Sequence, residues 1–247
     1  MADNITEFIA TGKGSDLLIE FATPIFIEDD EFAEIGLKSF SFYNSIPNVT
    51  RNVNNCLQIS VPGTDYQTIH LPTGSYEINS IEKEIVEWIK VRFPKLKKVD
   101  EEFKLEANSA LSKAQFIFLN DYGVNFDVPH SIAKTLGFNA QRKEKGEGKY
   151  LGDSIVNISN VTSILINCNI SEPNYINNKF SQFIFNCTID VSNGYRLSRE
   201  LTNITYKRVN TNQISSLRIW FTDEHGHLLN LRKEQALVTL SLRKTKK

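Results

Sequence analysis

The chain has too few cysteines for a disulfide framework, too few histidines for an evident metal centre, and no long apolar run. Cys56, Cys168 and Cys187 are an odd number at uneven spacing, which matches neither paired bridges nor a zinc ligand set, so reduced thiols are expected. No window approaches the roughly eighteen uninterrupted apolar residues of a membrane span. Met1-Ala2-Asp3-Asn4 offers no basic region leading into an apolar stretch, so no secretion signal is expected. The Asn-x-Ser/Thr triplets at Asn4, Asn48, Asn157, Asn160, Asn169, Asn186 and Asn203 therefore read as asparagine-rich composition.

Charge of one sign is also lacking. Lysine and arginine total 28 against 29 acidic residues, a net charge of -1, which excludes a general attraction to nucleic acid or anionic membrane and leaves only local basic patches. Catalytic signatures are missing too. Gly12-Lys13-Gly14-Ser15 lacks the earlier glycine and following helix of a phosphate loop, and Gly146, Gly148 and Gly152 miss the dinucleotide spacing. No serine occupies a nucleophile elbow. His225-x-His227 beside Asp223 has metal-like spacing, but reads as a polar turn. No catalytic residue, cofactor or metal is expected, and the chain does not read as an enzyme.

What is present is alternation. Leu217, Ile219 and Phe221 alternate with Arg218, Trp220 and Thr222, and Val238, Leu240 and Leu242 alternate before a basic end, which predicts two half-buried antiparallel strands. Similar runs recur at 17–21, 35–43, 56–61, 66–71, 103–107, 114–119, 154–158, 162–168, 183–189 and 205–209, most bounded by Gly, Pro, Asn or Asp. Only two helices stand out. Ile81, Ile85, Ile89 and Phe93 recur at i, i+4 over Asn79–Phe93, with Asn79 or Ser80 as cap and Pro94 as stop, and a short helix at 131–136 ends at Gly137.

This pattern predicts an all-β chain: a single jelly-roll β-sandwich of two antiparallel sheets, with one amphipathic helix and one short helix as inserts. With 40% hydrophobic and 11% aromatic residues, one domain over 1–247 can bury a full core. Its accessories are expected to be a flexible N-terminus over about 1–14, a mobile charged loop at 141–152 and a basic tail at 243–247. Trp220 and Arg218, opposite the core face, and Tyr150 are candidate contact residues. Trp88, between Ile85 and Ile89, reads as core. Arg243, Lys244, Lys246 and Lys247 are candidates for touching nucleic acid; the cluster Lys90, Arg92, Lys95, Lys97 and Lys98 reads as solvated surface that suits a helix C-terminus.

Four stretches in order carry a resemblance: Gly36-Leu37-Lys38-Ser39-Phe40 into Tyr43-Asn44-Ser45-Ile46-Pro47-Asn48; Leu71-Pro72-Thr73-Gly74-Ser75-Tyr76-Glu77-Ile78; Phe126-Asp127-Val128-Pro129-His130-Ser131-Ile132 through Leu136-Gly137-Phe138; and Ile214 to Leu242. Together they resemble the minor capsid, or penton, proteins of Polinton (Maverick) elements and adintoviruses. The family often has Arg-Gly-Glu where this chain has Arg232-Lys233-Glu234, which puts a glycine-dependent turn in question. The resemblance implies a structural virion protein without catalytic residues. It would form homopentamers at icosahedral vertices and contact a double jelly-roll major capsid protein, with the basic tail turned towards packaged DNA. A jelly-roll head that binds a receptor or glycan is the alternative; a metal-dependent cupin enzyme would need more clustered histidines.

Overall fold

The computed structural model describes residues 4–158, 161–176 and 178–246. Three long strands open the chain: β1 (Asn4–Lys13), β2 (Asp16–Phe26) and β3 (Glu31–Tyr43). A middle section follows with β4 (Cys56–Ser60), β5 (Gln67–His70), α1 (Ile78–Arg92), α2 (Val99–Glu102), β6 (Phe103–Asn108), β7 (Lys113–Phe118), β8 (Gly123–Asn125), α3 (Ala133–Leu136), β9 (Lys143–Lys145) and β10 (Gly148–Leu151). The last part holds β11 (Ser163–Cys168), β12 (Asn174–Ile176), β13 (Lys179–Ser181), β14 (Phe183–Thr188), β15 (Arg196–Glu200), β16 (Tyr206–Arg208), β17 (Gln213–Thr222) and β18 (Gln235–Lys246).

The outer parts, Met1–Ile46 and Val161–Lys247, form one compact unit, and Pro47–Asn160 forms a second. In the first, one sheet runs β1-β18-β3-β15, with β16 also paired to β3, and the other runs β14-β11-β17-β2. Numbered by chain order among these eight, the sheets read 1-8-3-6 and 5-4-7-2. Except for the fifth strand, which pairs with the fourth, each strand pairs with one distant in the sequence, the wound arrangement of the jelly roll. The fold class is the one expected, but its single 1–247 domain is corrected: residues 47–160 make a separate unit between the third and fourth sandwich strands, because they bury their own core.

The sandwich core follows the alternation. Leu217, Ile219, Phe221, Val238, Leu240 and Leu242 are all buried. Rings from the two sheets meet there, with Phe42 set edge-on to Phe221 at 5.2 Å and Phe8 against Phe21 at 5.3 Å. On β3 the inward set is Ile35 and Leu37, then Phe40 and Phe42, which breaks the period of two. A bulge resolves this: Thr239 pairs with Ser39 but Leu240 pairs with Leu37, so Lys38 is the extra residue that restores the phase.

In the second unit, β5-β4-β8-β9 and β10-β7-β6 form two small sheets. Helix α1 buries Ile81, Ile85 and Ile89 as its spacing predicts. Its N-cap is Glu77 without a side-chain cap, in place of Asn79 or Ser80. Trp88 is half-buried and packs on this core, against Phe93 at 6.3 Å. The short helix ends at Gly137, whose left-handed φ of 77° and the Ser154 carbonyl 2.4 Å from any added Cβ both require glycine.

The described parts of the expected flexible N-terminus, mobile loop and basic tail all contribute to strands. The N-terminal stretch is β1 from Asn4 onward, which inserts Phe8 and Ala10 into the core and pairs along its length with β18. Residues 141–152 contain β9, paired with β8, and β10, paired with β7. The basic end is the last part of β18, paired with β3 through Lys246; Lys247 lies outside the described residues. In each case backbone hydrogen bonds to a neighbouring strand hold a segment whose side chains alone look solvated. The run at 154–158 forms no strand.

Between Leu231 and Glu234 the chain makes a tight turn, with the Glu234 amide donating to the Leu231 carbonyl at 2.8 Å. Its central residues, Arg232 and Lys233, have φ of 50° and 62°. Positive φ at both central positions is the type I′ signature, which favours glycine second. The glycine-dependent turn survives with lysine at that position.

Candidate functional site

The candidate residues divide sharply once their partners are visible. Arg218 is exposed but forms a two-pronged ion pair with Asp16, at 2.9 and 2.7 Å, joining β17 to β2. That contact holds the Asp16 carboxyl below its usual range. Tyr150 is bound within the second unit: its hydroxyl donates to the Lys145 and Gly146 carbonyls, and its ring packs on Phe118 at 5.3 Å. It locks the β9–β10 connection. Arg243 pairs with Glu34 at 2.6 Å, Lys244 with Glu31 at 3.4 Å and Lys246 with Asp30 at 3.9 Å. Each described cation of the basic end therefore faces a carboxylate, which reduces its pull on phosphate.

Trp220 is different. It is half-buried, with the Arg218 guanidinium 5.2 Å from its ring centre, and it walls a groove of about 790 Å³ on the outer face of the β14-β11-β17-β2 sheet. The groove exists because the β12–β13 hairpin folds over that face, which is why Leu165 and Asn167 are buried although they point away from the core. The Asn167 side chain ties the parts together. Its Nδ2 donates to the Leu165 and Trp220 carbonyls and to Thr222 Oγ1, each at 3.2 Å, while its Oδ1 accepts from Ser181 of the hairpin. Gln182 Nε2 donates to the Asn169 and Ser171 carbonyls. A satisfied buried network of this kind sets the groove before any ligand arrives.

At one end of the groove sits the turn after β17. Glu224 accepts from Thr162 Oγ1 at 2.8 Å and from the Thr162 and Ser163 amides. Burial raises its pKa, but these donors outweigh burial and hold the group below the usual carboxylate range, so it is ionised at neutral pH. Asp223 takes the His225 and His227 amides and lies 3.1 Å from the His227 ring, as a turn-stabilising carboxylate. Among the described residues no three His, Cys, Asp or Glu side chains gather as a metal site. Cys56 Sγ lies 3.0 Å from His70 Nδ1, but burial pushes that thiol up, away from the reactive thiolate. Burial likewise pushes Cys168 and Cys187 to about 11. Among the described residues no helix is long and apolar enough to cross a membrane.

The open sheet edges are the other exposed feature. The β1 and β2 edges carry Ile5, Ile9, Leu18 and Phe26, each more than half exposed. Ile5 and Ile9 were missed in the sequence because β1 read as a flexible segment.

No protein-family model matches the chain, and no curated protein matches its sequence. Among solved structures it is similar to the crystal structure of the selenomethionine-labelled mavirus penton protein, with a TM-score of 0.52 at 13% identity. The match covers 98% of this chain and 100% of the mavirus chain. The chain has the fold of a virus penton protein. The likeness runs through both compact units, because it leaves almost no residues of either chain unmatched.

Proposed function

We propose that the chain is a structural capsid protein of the penton type, related to the minor capsid proteins of Polinton elements and adintoviruses. It assembles as a homopentamer at icosahedral vertices beside a major capsid protein and resides in the virion. The observation that carries this reading is the end-to-end match to the mavirus penton protein, built on a complete eight-strand jelly roll. Five copies around an axis meet head to side, a heterologous contact that closes because each step is a fifth of a turn. The β1 and β2 edges supply what such a contact needs: unpaired backbone groups beside exposed Ile5, Ile9, Leu18 and Phe26. Arg218 and Trp220 lie next to this edge on the outer sheet face, since Arg218 is opposite Leu18 in the β17–β2 register. Contact with packaged DNA through Arg243, Lys244 and Lys246 would compete with their acidic partners, so it would be weak and strongly salt-dependent.

Native mass spectrometry tests the assembly. The expected species is five times the 28.1 kDa protomer, and the double variant Ile9→Asp with Leu18→Asp should shift it to folded monomer. A trimer, or a monomer at every concentration tried, overturns the vertex reading.

A further inference from the structure

We propose that the groove beneath the β12–β13 hairpin is a binding site for a neutral saccharide, a recognition function beyond the proposed capsid role. The cavity is large enough for one or two sugar rings, at about 790 Å³, and is partly open to solvent. Its walls combine the two things a sugar requires. Trp220 and Phe180 offer aromatic surface for the C–H faces of a pyranose, and Phe180, at 71% exposure, holds its ring in water against Tyr175 at 4.6 Å.

The polar groups match the hydroxyl rim. Glu224 is anionic and fixed by three donors, which leaves about one of the four acceptor sites of its carboxylate for a sugar hydroxyl. Gln182 spends its amide N–H groups on the Asn169 and Ser171 carbonyls, and among the described residues its Oε1 has no hydrogen-bond partner in the chain. The Trp220 indole N–H likewise has none among the described residues. Two residues with acceptors and one with a donor thus line a space that has aromatic walls.

Charge narrows the class. Among the described lining residues Glu224 is anionic and no lysine or arginine is present, so a sialylated, sulfated or phosphorylated ligand would meet the like charge of that carboxylate. A purely apolar ligand would leave Glu224 and Gln182 unpaired when it excluded water. A neutral glycan satisfies both conditions. The site belongs to one chain, so it is complete in a monomer as in a pentamer.

The test is a glycan array bearing neutral, sialylated and sulfated oligosaccharides, probed with the full-length protein and with Trp220→Ala and Glu224→Gln, followed by calorimetry with the best neutral hit. The wild type is expected to bind at least one neutral glycan. Glu224→Gln, nearly isosteric and checked for folding by circular dichroism, should weaken it about tenfold or more, the loss expected for a hydrogen bond to a charged group. Trp220→Ala should weaken it similarly. Absence of neutral binding, binding confined to anionic glycans, capture of peptides instead, or neutral binding unchanged in both variants each overturns the proposal.

Discussion

Removing adjacent side chains from opposite faces of β17 should give very different losses of stability. Phe221 is fully buried and meets Phe42 across the sandwich at 5.2 Å, so Phe221→Ala leaves a ring-sized cavity between two sheets that cannot collapse onto it. Core Phe→Ala changes of this kind cost about 3–5 kcal/mol. Trp220, one residue earlier, is half-buried on the groove face; its loss removes a ring contact with Arg218 and some apolar cover, on the order of 1–2 kcal/mol. At about 3 °C per kcal/mol, the first variant should melt about 10 °C or more below wild type and the second only a few degrees below. The assay is thermal unfolding by circular dichroism. The chain has two tryptophans, one in each unit, so Trp88→Phe as a background lets Trp220 fluorescence report the jelly roll alone for the Phe221 variant. Equal losses for the two substitutions, or a Phe221→Ala loss below about 1 kcal/mol, would refute the assignment of faces on which the groove and the core both depend.

Lys233→Gly should raise the melting temperature, since the left-handed φ of 62° costs a side-chain-bearing residue about 1 kcal/mol, partly offset by glycine's freedom in the unfolded chain; a lowered transition would count against the type I′ turn. Deleting residues 243–247 should destabilise the jelly roll, not merely trim an arm, because Arg243, Lys244, Thr245 and Lys246 pair with β3; an unchanged urea midpoint would contradict that. Asp16 has a depressed folded pKa, so its pair with Arg218 contributes above the unfolded value of about 4 and fades as pH falls through the lower folded value. Asp16→Asn should therefore reduce stability slightly at pH 7 and not at pH 2; both groups are exposed, so the difference is small, and a loss persisting at pH 2 would rule out this cause.

Much of this was legible in the residues. Ile81, Ile85 and Ile89 placed α1, Gly137 ended α3, and the alternation at 217–221 and 238–242 assigned the core face of both closing strands. β1 was not legible: Ile5, Phe8, Ile9 and Ala10 follow no period of two, because outward positions at an open edge can also be apolar. The charged strands at 143–145 and 243–246 escaped notice for a related reason, since pairing is a backbone property and their side chains face water or carboxylates. Nor could Trp220, Gln182 and Glu224 have been grouped, as the hairpin that joins them is placed by Asn167 and Ser181.

The sequence by itself determined which residues avoid water, and so the all-β class, the two core-facing strands at the end of the chain and the single long helix. Periodicity encodes burial locally, one element at a time. Only the tertiary structure decided that β18 lies between β1 and β3, that residues 47–160 keep a core of their own, and that a hairpin roofs a groove beside Trp220. Those are choices of partner between segments far apart in the chain, and no local pattern of polarity records which apolar face meets which.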